Sequence, residues 1–170
     1  MMRKLPALLV TLLMPFLTYA QFDFVEVGIN GLTCSMCSYS VENSLRKIPE
    51  VDKIQMDLNN NIALIHYKRN STVNFNLLAE RVRNSGFSVR HISFVLSKPV
   101  SVTESGVFES GNQTFLCVNN VPPLLSAGSK LKLMGKEFMS KTEYKQVQGV
   151  LKPLKKENNG QDILLVSHEK

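Results

Sequence analysis

A chain of 170 residues, 44 % hydrophobic and 20 % charged, has room for one ordinary domain or two small ones. Its formal net charge of +6 is a modest excess that reads first as solvated surface and only weakly as a nucleic-acid patch. Three cysteines are an odd number and too few for a structural framework of disulfides.

Residues 1–20 carry Arg3 and Lys4, then an uncharged stretch from Leu5 to Leu17, then Thr18-Tyr19-Ala20. That is the layout of a secretory signal peptide, and the apolar run is too short for a membrane span. The expectation is an exported, periplasmic protein with no stable membrane insertion after cleavage. Export also argues against a nucleic-acid partner. The remaining positive excess lies in residues 97–170 and reads as solvated surface.

Residues 21–96 read as one domain. Phe24 to Asn30 alternates with period two and places Val25, Val27 and Ile29 on one face, a half-buried strand. Gly31 to Ser35 has turn and cap composition, with Thr33 or Ser35 as the capping residue. Cys37, Val41, Leu45 and Ile48 then recur at helical spacing, and Pro49 ends the helix. Val51–Leu58 and Ile62–Tyr67 read as strands around the hairpin signal Asn59-Asn60-Asn61. Phe75, Leu78 and Val82 predict a second helix to about Ser85, stopped by Gly86, and Phe87–Phe94 predicts a last strand. The order β-α-β-β-α-β is that of the ferredoxin-like α+β fold, with both helices on one face of an antiparallel sheet.

Residues 97–104 read as a linker and residues 105–170 as a small β-rich domain. Its predicted strands are Gly106–Glu109, Thr114–Val118, Lys130–Glu137, Gly149–Leu154 and Asp162–Ser167, with a short helix Met139–Val147 capped by Ser140. Several short strands and one helix suggest an OB-like barrel. Leu131, Leu133, Val150, Leu151, Leu164 and Val166 read as its core, Lys152-Pro153-Leu154-Lys155-Lys156 as a solvated basic loop. No catalytic motif is recognised there. Cys117, inside an apolar run, reads as a small buried hydrophobe. Asn70-Ser71-Thr72 and Asn112-Gln113-Thr114 match the glycosylation sequon and are taken as chance matches.

The chemistry concentrates at Gly31-Leu32-Thr33-Cys34-Ser35-Met36-Cys37. Thiols at Cys34 and Cys37, at a loop-to-helix junction, converge on one point, which suits a soft metal ion or a redox disulfide. Two thiolates with no histidine or carboxylate nearby suit Cu(I) in near-linear geometry, and zinc would need a second pair that the chain lacks. The positive end of the helix favours the thiolate form. The rival is thiol–disulfide exchange. The absence of Trp, of a proline between the cysteines and of a thioredoxin-like order of elements weighs against it. Met36 is read as facing solvent, Tyr39 as rimming the loop, and His66, His91 and His168 as surface residues.

The same seven residues resemble the G-M-T-C-x-x-C motif of the heavy-metal-associated domain family, which includes copper chaperones, modules of P-type copper ATPases and periplasmic mercury-binding proteins. The resemblance covers residues 24–94 and extends to Asp57-Leu58 and to Asn84-Ser85-Gly86-Phe87. It departs at Leu32, where the family has Met packed beneath the loop. The resemblance implies that Cys34 and Cys37 ligate metal, with Phe87 shielding the site. The cargo it implies is Cu(I), with Hg(II) or another soft ion as the alternative. The implied partner is a metal donor or acceptor such as a copper-transporting ATPase. No enzymatic role is expected.

Overall fold

The computed structural model describes residues 22–157 and 162–169; the signal-peptide reading falls on residues outside them. The first alternating run forms strand β1 (Phe22–Asn30), whose Val25, Val27 and Ile29 are wholly buried on one face. Helix α1 (Ser35–Leu45) lays Val41 and Leu45 on that face, and Ile48 follows them into the core. Strands β2 (Val51–Asp57) and β3 (Ile62–Tyr67) are joined by the asparagine hairpin. Asn61 takes a φ of +54° there, and the Asp57 carboxylate accepts from the Asn59 and Asn60 amides at 3.0 and 3.1 Å. Helix α2 (Phe75–Asn84) is capped by the Asn74 side chain, which accepts from Leu77 N at 2.9 Å. It buries Phe75, Leu78, Ala79 and Val82. Gly86 then takes a φ of +88° and turns the chain into β4 (Ser88–Leu96). The ferredoxin-like β-α-β-β-α-β arrangement is thus formed in the N-terminal part.

The remaining elements are β5 (Val100–Ser101), β6 (Val107–Ser110), β7 (Gln113–Cys117), β8 (Leu124–Leu125), β9 (Lys130–Leu133), helix α3 (Lys141–Glu157) and β10 (Ile163–Glu169). They do not close into an OB-like barrel. Instead β9 pairs with the outer edge of β4 through Ser93↔Lys132 and Phe94↔Leu131, and the sheet continues. Eight strands run in the order β2-β3-β1-β4-β9-β10-β7-β6, with two open ends. The physical reason is the edge itself: β4 would otherwise present a row of unpaired backbone N–H and C=O groups, and β9 satisfies them.

Three other expectations fail in this half. Gly149–Leu154 is helical, not a strand, because α3 runs on through Gly149 and Pro153 to Glu157. Lys152–Lys156 is therefore part of a helix, and Val150, expected in the core, is exposed. The expected cap does form: Ser140 Oγ accepts from Glu143 N at 3.2 Å. Within the stretch read as a linker, Val100 and Ser101 pair with β8.

The sheet carries helices on both faces. α1 and α2 cover the face of Val25, Ile65 and Ile92, and the same core runs on to Leu131, Leu133, Phe115 and Val166. An aromatic cluster stitches the two parts together: Phe22, Phe75, Phe94 and Phe115 lie with ring centroids 4.6–6.4 Å apart, and Phe108 stacks on Phe115 at 5.1 Å. On the opposite face α3 packs Tyr144, Val147, Leu151 and Leu154 against Leu116, Met139 and Leu165.

Candidate metal centre

The loop between β1 and α1 is shaped by three residues. Gly31 takes a φ of +93°, a conformation that costs a glycine nothing and lets the strand turn sharply. Leu32 is buried and pins the loop from below, so the branched residue fills the place expected of it. The Phe87 ring lies beside Gly31, where a β-carbon would meet it at 3.5 Å, so its floor under the loop is apolar.

Cys34 is the N-cap of α1, in place of the Thr33 or Ser35 expected there. Its backbone is extended, at φ −148° and ψ 160°, and its Sγ accepts from Cys37 N at 3.2 Å. The Cys34 carbonyl accepts from Ser38 N at 3.2 Å and from Ser38 Oγ at 3.4 Å. Ser38 is buried, and it fixes the residue that presents the sulfur. Nothing in the sequence flagged Ser38 except its place one turn after Cys34. Cys37 sits in the first turn of the helix, half-buried against the core, as its place on the apolar stripe implied.

The two cysteines are joined as a disulfide, with Cα atoms 5.3 Å apart. The first turn of α1 holds no acidic residue, so the positive end of the helix acts on the sulfurs without a competing carboxylate. Among the described residues no cluster of three His, Cys, Asp or Glu side chains exists that could hold a metal ion. The reduced pair can therefore offer two soft sulfur donors and no hard ligand, a set that fits a monovalent thiophilic ion and not a four-coordinate zinc. Met36 and Tyr39 flank the pair with exposures of 72 % and 59 %, facing solvent.

The remaining candidates lie elsewhere. Cys117 is buried in β7, and burial pushes its thiol up to about 11, in keeping with an inert hydrophobe. His66 Nδ1 lies 3.1 Å from the Asp23 carbonyl, and His168 is tied through its backbone to the Asn119 side chain. His91 is not a plain surface residue. It lies on the sheet face opposite α1 and α2, where its Nε2 is 2.8 Å from Glu26 Oε1. Lys130 on β9 reaches the same carboxylate at 3.0 Å. The hydrogen bond from His91, then Lys130, hold the Glu26 carboxyl down at about 2 against the cost of burying it. Gly28 makes room for this arrangement, since a β-carbon there would lie 2.3 Å from the His91 ring. Sequence spacing could not have found this cluster, because only the register of β1, β4 and β9 brings it together.

Comparison with known proteins bears on the same stretch. The family model described as the heavy-metal-associated domain matches residues 26–88. A copper-exporting P-type ATPase of Staphylococcus epidermidis is 36 % identical over 63 residues, which cover 37 % of this chain and 8 % of that protein. The copper-transporting ATPase RAN1 of Arabidopsis thaliana is 30 % identical over 102 residues, covering 59 % of this chain and 10 % of the relative. The chain thus spans a tenth or less of these curated relatives. Among solved structures, a copper binding domain from HMA7, a P-type ATPase, is 31 % identical, with 39 % of this chain and 89 % of that chain covered and a TM-score of 0.36. The N-terminal domain of PacS from Synechocystis PCC6803 is 22 % identical over 39 % of this chain and 92 % of that chain, with a TM-score of 0.35.

Proposed function

Since residues 26–88 are a heavy-metal-associated domain, related to domains of copper-transporting ATPases, we propose that the protein binds Cu(I) through the thiolates of Cys34 and Cys37 and hands it to a partner. The observation that carries this reading is the two-sulfur donor set at an uncompensated helix N-terminus. Two thiolates and one Cu(I) leave a single net negative charge, which the Cys37 amide and the helix end stabilise. Cys34, exposed on the cap, is the first sulfur a partner's thiolate displaces. Cys37, seated against the core, holds the ion until a three-coordinate intermediate resolves toward the partner. Exchange of this kind needs no enzyme. The partner is a metal donor or acceptor, such as a copper-transporting ATPase, and the place of exchange is the periplasm. Hg(II) would use the same two sulfurs.

The test is a competitive Cu(I) titration of the reduced protein. One ion binds per chain, and Cys34→Ser or Cys37→Ser each weakens it by about 100-fold or more. Unchanged affinity in either variant would sink the two-thiolate site. The closed disulfide supports a second reading, thiol–disulfide exchange. Turnover of a test dithiol by the wild type, lost in Cys34→Ser, would favour it over metal transfer.

A further inference from the structure

Helix α3 gives the molecule one strongly charged edge. Its apolar stripe, Tyr144, Val147, Leu151 and Leu154, is seated on the sheet, and this fixes the rotation of the helix. Lys141, Lys145, Lys152 and Lys156 follow at steps of four, seven and four. At the helical repeat they fall within an arc of about 60° and extend over about 22 Å. All four are exposed, and Lys155 stands beside them.

These lysines have no ion-pair partner among the described residues, and the reason is visible. Three acidic side chains of this half are engaged with other cations: Glu143 with Lys132, Glu137 with Arg83, and Glu169 with Lys130. Among the described residues no carboxylate therefore pairs with the four lysines. Every cation in residues 97–170 is a lysine, with no arginine. Lysine is a hydrated point charge without the planar fork that reads a carboxylate, a single phosphate or a base edge. A row of lysines suits a diffuse anionic surface.

We propose that this edge of α3 docks the protein on a membrane surface of anionic phospholipid headgroups. The charged row complements such a surface along its length. Contact would be electrostatic and reversible. Because α3 and α1 lie on opposite faces of the sheet, docking leaves Cys34 and Cys37 turned toward solvent and open to a partner. The inference rests on α3 alone and stands whether or not the cysteine pair carries copper.

The experiment is co-sedimentation of the full, reduced chain with vesicles of phosphatidylcholine, with or without phosphatidylglycerol, at low and high salt. Binding is expected to the mixed vesicles only, and to be lost at high salt. The fourfold variant Lys141→Gln, Lys145→Gln, Lys152→Gln, Lys156→Gln is expected to bind several hundredfold more weakly, at roughly fivefold per lysine. The matching set of Lys→Arg changes should retain binding, and Lys47→Gln with Lys53→Gln should not weaken it. Cu(I) titration of the fourfold variant reads as wild type, which separates failure here from failure of the copper reading. Equal vesicle binding by the fourfold variant overturns the proposal, as does no binding to anionic vesicles. Tighter binding to duplex DNA of matched charge concentration, lost in the same variant, also overturns it in favour of a nucleic-acid surface.

Discussion

The N-terminal and C-terminal halves of the sheet solve the same burial problem in opposite ways. Over β2-β3-β1-β4 both helices lie on one face, and the other face is left to Glu26, His91 and Lys130. Over β10-β7-β6 the single helix lies on that other face, while β5 and β8, with Leu125 of β8 and Val102 just after β5, close the first. The halves are nevertheless continuous. Phe115 of β7 contacts Phe22, Phe75 and Phe94 of the N-terminal half, and Lys130 of β9 closes the charge cluster on the far face. The Gly31–Cys37 loop therefore sits on a core that runs far beyond the stretch matching the family model.

Breaking that continuity gives the largest expected effect. Phe115→Ala empties the centre of the aromatic cluster and should cost about 4 kcal/mol. If the halves form one unit, hydrogen exchange will rise in β1 as well as in β7. Protection lost in β7 alone would show that the halves open separately.

The charge cluster sharpens the same point through pH. Glu26 has its carboxyl held below the ordinary 4.5, at about 2, chiefly by the His91 hydrogen bond. A depressed carboxyl stabilises the fold above its ordinary value, and that contribution disappears as pH falls from 4.5 toward 2. Glu26→Gln should cost about 2 kcal/mol at neutral pH and flatten the acid limb of the stability profile. An unchanged limb, followed by denaturant unfolding at each pH, would mean that the cluster does not join β1 to β9 energetically.

The smallest effect concerns the lone thiol. Cys117→Ala should cost about 1 kcal/mol and leave Cu(I) affinity alone. In the reduced wild type, alkylation should be fast at Cys34 and slow at Cys117. Fast labelling of Cys117 would contradict its burial among the β7 core residues.

The contrast also explains what could be read in advance. From Phe22 to Leu96 each element carries its own start or stop: Asn74 caps α2, Gly86 ends it, and the asparagines turn the hairpin. The cysteine pair was legible for the same reason, since its geometry is local. Asn70 and Asn112, which look like sequons, take φ values of +61° and +58°, so turn geometry accounts for both asparagines. The C-terminal half depends on pairings no local pattern encodes. Lys130–Glu137 reads as a strand, but only Lys130–Leu133 forms one, and nothing local says that Leu131 pairs with Phe94. Gly149–Leu154 reads as a strand, yet α3 passes through Gly149 and Pro153 because its apolar stripe is held by the sheet. Cys34 was overlooked as a cap because sulfur is a weak acceptor beside Ser or Thr.

The covered edge of β4 has one more consequence, for solubility. A short ferredoxin-like domain ends its sheet on two exposed strands, each able to recruit a second molecule by backbone pairing. Here one of those edges lies inside an eight-stranded sheet, and the new outer strand, β6, is only four residues long before it turns at Gly111. The other edge, β2, carries Asp52 and Lys53 beside a break in register between Val51 and Lys53. Charges and irregularity at one margin and brevity at the other leave little template for strand-to-strand aggregation.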